Sequence, residues 1–162
     1  MDELEPLQFR LAKMDEATVM AEMSRELIEA GLGWRYTPIR MAGLISDPET
    51  LTLVASEASL VRGFAVMRLY EEHAHLALLC VSPQQQQRGI GRRMTEWLVE
   101  SAEVAGSGSI RLELRVDNLS ALAFYRRLGF TETELVPGYY SPQIAARRMV
   151  RTLRRDAASP GE

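Results

Sequence analysis

Lysine is almost missing from this chain: of its 19 basic residues only Lys13 is not an arginine. That absence excludes a nucleoside-triphosphate loop of the form G-x-x-x-x-G-K-[ST]. Cysteine is as scarce. The single thiol, Cys80, rules out an intrachain disulfide framework and fits a reducing compartment. Together with only two histidines, His73 and His75, it offers no metal-ligand spacing, and no metal is expected. No apolar run reaches the roughly eighteen residues that a membrane helix needs. The opening Met1-Asp2-Glu3-Leu4-Glu5 is acidic where a secretory leader would be basic, so the expected address is the cytoplasm. An excess of positive charge is missing too. A net charge of −3 gives no general argument for nucleic acid or a membrane surface as partner.

What is present is apolar enough to fold. With 162 residues and 46% hydrophobic composition, one domain is expected over residues 1–155, with 156–162 as a frayed, disordered tail. Residues 7–13 alternate as a short half-buried strand. Asp15 is placed to cap a helix reaching about residue 30, with Met20, Met23, Leu27 and Ile28 as its apolar stripe and Gly31 ending it. Trp34, Arg35 and Tyr36 lie in the loop that follows. Their large side chains either face a substrate or plug the edge of the core. Pro38 starts a second short helix that stops near Asp47-Pro48. Residues 51–55, 61–69 and 75–81 then form a meander of antiparallel strands. The last of these reads as apolar on both faces, which predicts a central strand covered on both sides.

The most informative stretch follows: residues 78–105, LLCVSPQQQQRGIGRRMTEWLVESAEVA. A strand ends at Val81, a polar loop crosses residues 84–88, and a helix opens at Gly89-Ile90-Gly91. The first turn of a helix favours acids and the last favours bases. Here the order is reversed, with Arg88, Arg92 and Arg93 at the start and Glu100 and Glu103 toward the end. Either the arginines form a solvated first turn, or an anion binds among the first amides, where glycine permits close approach. We read a phosphate or pyrophosphate seat. It is not a dinucleotide fingerprint, because the residue three after Gly91 is Met94 and not glycine.

Beyond Gly106-Ser107-Gly108, residues 110–116 alternate as a strand, with Arg111, Glu113 and Arg115 on its polar side. Asp117 or Asn118 caps a helix whose inner face carries Ala121, Leu122, Tyr125 and Leu128. Residues 130–136 and 147–153 read as two last strands separated by Pro137-Gly138-Tyr139-Tyr140. The arginines at 147, 148, 151, 154 and 155 suggest a solvated strand edge. This order predicts an α/β protein: a mixed, mostly antiparallel central sheet of six to seven strands with helices on both faces. A ligand crevice is expected where the central strand ends and its helix begins.

Two segments carry a resemblance. Val81-Ser82-Pro83 followed by Gln86-Gln87-Arg88-Gly89-Ile90-Gly91 resembles the Q/R-x-x-G-x-G/A signature of the GNAT superfamily of acetyl-CoA-dependent N-acetyltransferases. Leu112-Glu113-Leu114-Arg115-Val116-Asp117-Asn118, then Ala121, Phe124-Tyr125 and Leu128-Gly129-Phe130, resembles its second conserved segment. Within the superfamily this segment, with Gly138-Tyr139-Tyr140, looks most like the ribosomal-protein-alanine N-acetyltransferases. The chain departs from that pattern in two places. Gly33-Trp34-Arg35-Tyr36 stands where a Pro-Trp-Ser motif is usual, and Gln143-Ile144-Ala145-Ala146 stands where an acidic pair is usual.

The resemblance implies transfer of an acetyl group from acetyl-CoA by direct attack of a primary amine. The acceptor is a protein or peptide N-terminus, or a small molecule such as a polyamine or antibiotic; a non-catalytic acyl-CoA sensor is a further alternative. The amides of residues 87–91, with Gln86, Arg88 and Arg92, are expected to hold the pyrophosphate. The backbone of Leu79, Cys80 and Val81 lies along the pantetheine and offers a donor to the thioester carbonyl. Glu113, twelve residues before Tyr125, is the expected base acting through water, or else a salt-bridge partner of Arg111 or Arg115. Tyr125 is the expected acid toward the leaving thiolate. A phenol near about 10 is a weaker acid than a thiol near about 8.5, so donating a hydrogen bond is the less demanding role. Asn118 bonds the cofactor, caps the helix, or does both. Trp34, Tyr36, Tyr139 and Tyr140 are the candidate acceptor contacts. Cys80 is read as a small buried apolar residue and not as a nucleophile, since His73 and His75 lie on the opposite face of its strand. The chain is expected to be a monomer or a homodimer.

Overall fold

The computed structural model describes residues 6–153. The expected tail at 156–162 and the arginines at 154 and 155 lie outside the described residues. The elements run β1 (Gln8–Leu11), a 3-10 turn (Met14–Glu16), α1 (Ala17–Leu27), α2 (Pro38–Ser46), β2 (Thr50–Glu57), β3 (Leu60–Leu69) and β4 (Ala74–Val81). A second 3-10 turn (Pro83–Arg88) follows, then α3 (Ile90–Val104), β5 (Ser109–Arg115), α4 (Leu119–Arg127), β6 (Thr131–Ser141) and β7 (Ile144–Thr152). The seven strands are ordered β1-β2-β3-β4-β5-β7-β6, in a sheet flanked by helices. β1–β2, β2–β3, β5–β7 and β6–β7 are antiparallel and β4–β5 is parallel, the mixed sheet that the sequence predicts. By their contacts the residues fall into two compact units: one runs to Arg68 and includes Ala77–Glu96, and the other comprises Leu69–Leu76 and the residues from Trp97 on.

In the first unit the helical segment starts at Met14 with Lys13 as its cap residue, and Glu16, not Asp15, supplies the capping carboxylate. That carboxylate accepts the Lys13 N–H at 2.8 Å and both ends of the Arg10 guanidinium at 2.8 Å, satisfying donors that a helix start leaves open. α1 then buries Ala17, Met20, Ala21 and Ser24, an i, i+3, i+4, i+7 face. Leu27, expected on that stripe, is 39% exposed because the buried face is one residue out of phase with it. Met20, Met41, Val54, Phe64, Val66 and Leu78 pack into one core cluster beneath this face.

The end of β4 is set by a bulge in β3. Ala55 pairs with Gly63 but Ser56 pairs with Val61, so Arg62 is the extra residue. Its carbonyl, released from the ladder, accepts the Ser82 N–H at 2.8 Å. Gly63 permits the close approach: a Cβ there would lie 2.9 Å from the Cys80 carbonyl oxygen and 3.2 Å from the Met94 methyl. β4 is central in strand order, yet only one face is fully buried, the other being covered in part. Leu76, Leu78 and Cys80 are buried, whereas His75, Ala77, Leu79 and Val81 alternate with them as half-exposed residues. The expectation of a strand covered on both sides therefore fails. An apolar run reports composition and cannot report whether a neighbouring layer is present.

In the second unit the parallel β4–β5 ladder covers Ala74↔Ile110 and His75↔Arg111. β7 lies between β5 and β6, so the arginines of β7 are not on an edge as expected. Arg147 bonds Val116 O and Glu132, and Arg151 bonds Leu128 O. β6 runs through Pro137-Gly138-Tyr139-Tyr140, which the sequence reading makes a separating loop. The register breaks between Val136 and Ser141 and Gly138 has φ +67°, so the stretch is an irregularity inside the hairpin.

Gly63→Ala should lower stability by about 1–3 kcal/mol, because the added methyl displaces backbone at Cys80 or the Met94 side chain. Thermal unfolding checks this; an unchanged melting temperature would show that β4 has room to move.

Candidate active site

The glycine signature occupies the turn after β4, in the first unit. Residues 84–88, read as a loop, form part of a 3-10 turn in which Gln85 N–H bonds Ser82 O at 2.8 Å. Gln86 Nε2 reaches the Val81 carbonyl at 3.4 Å. Gly89 has φ +72°, a left-handed conformation that favours glycine, and no protein atom lies within 4 Å of where its Cβ would be. Its carbonyl accepts the Arg93 N–H at 3.0 Å, which begins α3 with no acid in the first turn. Ile90 is fully buried and anchors that turn to the core.

Each arginine at this helix start has a protein partner. Arg88 donates to both oxygens of Glu57, at 3.0 and 2.8 Å, and to Gln85 at 2.6 Å. Arg92 pairs with Glu96 one turn on at 2.9 Å, and the Arg93 guanidinium lies 4.4 Å from the Phe9 ring centroid. The reversed charge order is thus partly relieved by the fold itself. Glu57 is the acid that periodicity could not reveal, 31 residues away from Arg88. Arg62 also approaches Glu57, at 3.4 Å, and its Nε is buried without a hydrogen-bond partner. Burial pushes the Cys80 thiol up to about 12, only partly offset by a backbone hydrogen bond from Phe64, which suits an inert apolar residue.

The second unit gathers a polar cluster on one face of β5. Glu113 Oε1 lies 2.6 Å from His75 Nε2 and accepts the Tyr139 hydroxyl at 3.0 Å; Oε2 accepts Arg148 Nε at 2.9 Å. The expected partners Arg111 and Arg115 are not the ones used. They flank Glu113 along its own strand, whereas Arg148 is its register partner on β7. Burial pushes the Glu113 carboxyl up, but hydrogen bonds from His75 and Arg148, the charge of His75 and the Tyr139 hydroxyl outweigh it and hold the group at about 2. An ionised carboxylate only accepts, so His75 Nε2 carries the proton and, in the neutral ring, Nδ1 keeps the basic lone pair.

Of the other expected site residues, Tyr125 is 8% exposed, its ring edge-on to Phe124 and Phe130 at 5.0 and 5.4 Å. Asn118 caps α4, accepting the Ala121 N–H at 3.1 Å. Tyr140 meets Tyr139 edge-on at 4.9 Å. Trp34 and Tyr36 pack against the core cluster of the first unit, and Trp34 donates to Ala21 O at 3.1 Å. Two residues were missed. Buried Glu29 accepts from Ser24 Oγ and from the N–H groups of Arg35 and Tyr36 at 2.9, 2.6 and 3.2 Å, fixing the loop that carries Trp34. His75 shares the half-exposed face of β4 with Leu79 and Val81, and its parity on the strand was the available signal.

A family profile described as the acetyltransferase (GNAT) domain matches residues 15–153. The [ribosomal protein bS18]-alanine N-acetyltransferase of Salmonella typhimurium is 36% identical over 77 residues, 48% of this chain and 52% of that protein. The match thus spans about half the length of such relatives. The N-alpha-acetyltransferase RimI of Mycobacterium tuberculosis is 31% identical over 164 residues, 96% of each chain. Among solved structures, Ard1 from Thermoplasma volcanium superposes with a TM-score of 0.82 at 25% identity, covering 92% of this chain and 99% of that one. Because the matched region runs from the 3-10 turn before α1 to the residue after β7, the chain belongs to the GNAT acetyltransferase family.

Proposed function

We propose that this chain is an acetyl-CoA-dependent N-acetyltransferase whose acceptor is the α-amino group of a peptide or protein. The observation that carries the reading is the 2.6 Å pair of His75 and ionised Glu113. A carboxylate held at about 2 is itself a poor proton acceptor near neutrality, so Glu113 acts by orienting its neighbour. The imidazole does the proton work. An α-ammonium, with a pKa of about 8, gives up its proton to a base more readily than a lysine ammonium near about 10.4. The bS18-alanine acetyltransferase and N-alpha-acetyltransferase names of the relatives support the same acceptor class.

The residues of the first unit fit the cofactor. Open space beside Gly89 and the amides that any helix start leaves available suit a pyrophosphate, with Gln86, Gln87, Arg88, Ile90, Gly91 and Arg92 around it. For Arg88 this means exchanging Glu57 for phosphate. The half-exposed apolar face of Leu79 and Val81 suits a pantetheine chain. Bound acetyl-CoA supplies an activated acyl carbon that bonds to nitrogen while its bond to sulfur breaks. Backbone N–H groups at residues 79–81 orient the thioester, and Tyr125, by its match to the family's acid, holds a proton for the sulfur. Asn118 keeps the helix of Tyr125 in place. In the second unit Tyr139 and Tyr140 are the candidate acceptor contacts; in the first, Trp34 and Tyr36 are held on the core cluster.

Thiol release from acetyl-CoA should be rapid with peptides beginning Ala, Ser or Met and at least about tenfold slower, per kcat/KM, with polyamines. Tight coenzyme A binding without turnover of any amine would overturn the enzymatic reading. His75→Ala should lower kcat by about 10²–10³-fold at neutral pH, with the deficit shrinking above about pH 9 as the amine deprotonates unaided. A pH-independent deficit would remove the proton-accepting role. Gly89→Glu, adding bulk and like charge, should abolish coenzyme A binding in calorimetry while circular dichroism stays native; unaltered affinity would move the seat elsewhere. Glu113 has a folded value of about 2 against an ordinary 4.5, so its stabilisation is complete above about pH 5 and fades as pH falls toward 2. Denaturant unfolding across that window should show the wild type losing stability more steeply than Glu113→Gln. Parallel curves would contradict the pairing.

A further inference from the structure

A cavity of about 320 Å³ opens in the second unit, lined by Tyr70, His73 and His75, by Arg111 and Glu113 of β5, and by Tyr139 and Arg148. Among the side chains that line it, one carboxylate stands against two guanidinium groups. The single carboxylate, Glu113, is shared by His75 and Arg148, and Arg148 also bonds Glu134 at 2.6 Å. Arg111 is exposed, and among the described residues it has no hydrogen bond or ion pair. Glu71 and Glu72 in the neighbouring turn are exposed and make no ion pair with it among those residues. The field of Arg111 is felt inside the cavity. Burial, then Arg111 and His75, push the His73 imidazole down, against a smaller opposing pull from Glu72.

The register makes this charge consequential. Arg111 is the direct partner of His75 across the parallel ladder, roughly 4.8 Å away by strand spacing, and shares the face that carries Glu113 two residues on. An ammonium approaching His75 therefore meets a like-charged guanidinium on the adjacent strand. A peptide that carries an anion one or two residues behind its amine cancels this repulsion, since successive residues advance about 3.3 Å in extended chain. The rings of Tyr70 and His73, stacked 4.9 Å apart, also line the cavity, and Arg111 is the guanidinium there with no hydrogen bond or ion pair of its side chain among the described residues.

We infer that this cavity selects acceptor peptides with an acidic side chain at the second or third position, held by Arg111. The inference rests on the N-terminal acetyltransfer reading for its acceptor, but its test includes binding, which needs no turnover. C-terminally amidated peptides beginning Ala-Asp, Ala-Ala and Ala-Lys serve as probes, with amidation removing the terminal carboxylate as a rival anion. With coenzyme A present, calorimetry should rank them Asp, Ala, Lys, with about a tenfold span between the ends. Arg111→Ala should collapse the ranking and Arg111→Glu should invert it, and kcat/KM should follow the same order. Equal binding of Ala-Asp and Ala-Lys peptides to the wild type, or a ranking unchanged in Arg111→Ala, would overturn the inference. Ranked binding without any acetyl product would leave it standing and overturn the acetyltransfer reading instead. If Ala-Asp peptides are matched by an Ala-Ala peptide with a free carboxy terminus, the anchor reads any nearby carboxylate and the assignment to a side chain fails.

Discussion

A carboxylate taken out of water must find donors, and Glu113 finds three on three different strands. Its side chain is 7% exposed, yet it is ionised because His75, Arg148 and Tyr139 converge on it from β4, β7 and β6. Strand order, register and chemistry are tied together at this point. Slipping β7 by one residue would move Arg148 to the other face and leave the charge desolvated. The parallel ladder of β4 and β5 is only as long as needed to bring His75 and Arg111 alongside. One acid therefore specifies the register of the second unit and the tautomer of the residue that handles the proton.

The first unit meets a comparable constraint with different means. A helix start rich in arginine is unfavourable by itself, and Glu57, Glu96 and the Phe9 ring each take one guanidinium. These contacts keep the arginines ordered near the amides of the turn. The bulge at Arg62 and the absent side chain at Gly63 bring the end of β4 against β3, which fixes where that turn begins. Local strain, loop conformation and charge placement all converge on the residues that follow Val81.

Much of this was legible in the residues. Period-two alternation located β5 with its polar side, and the glycines at 89 and 129 marked turns that have positive φ. The signature at 86–91 led to the family, and Glu113 and Tyr125 were singled out at their spacing. What escaped depends on contacts far apart in sequence. Glu113 reaches residues 38 and 35 positions away and Arg88 reaches one 31 away, and no periodicity encodes such pairs. The interior of β6 misled because Pro137 and Gly138 carry the same signature in a bulge as in a loop. β7 read as an edge because its arginines look solvated until the acids of β6 are set opposite them.

Placing β7 between β5 and β6 has a consequence for how the chain is made. The β6–β7 hairpin is local and can close on its own, but β5 must wait for residues 146–152 before its inner edge is paired. Until residues 146–152 have been made, β5 has one edge unpaired and Glu113 lacks Arg148, although His75 has already been synthesised. The second unit therefore carries an open sheet edge while β7 is still being added, a state that exposes strand edges to wrong pairing.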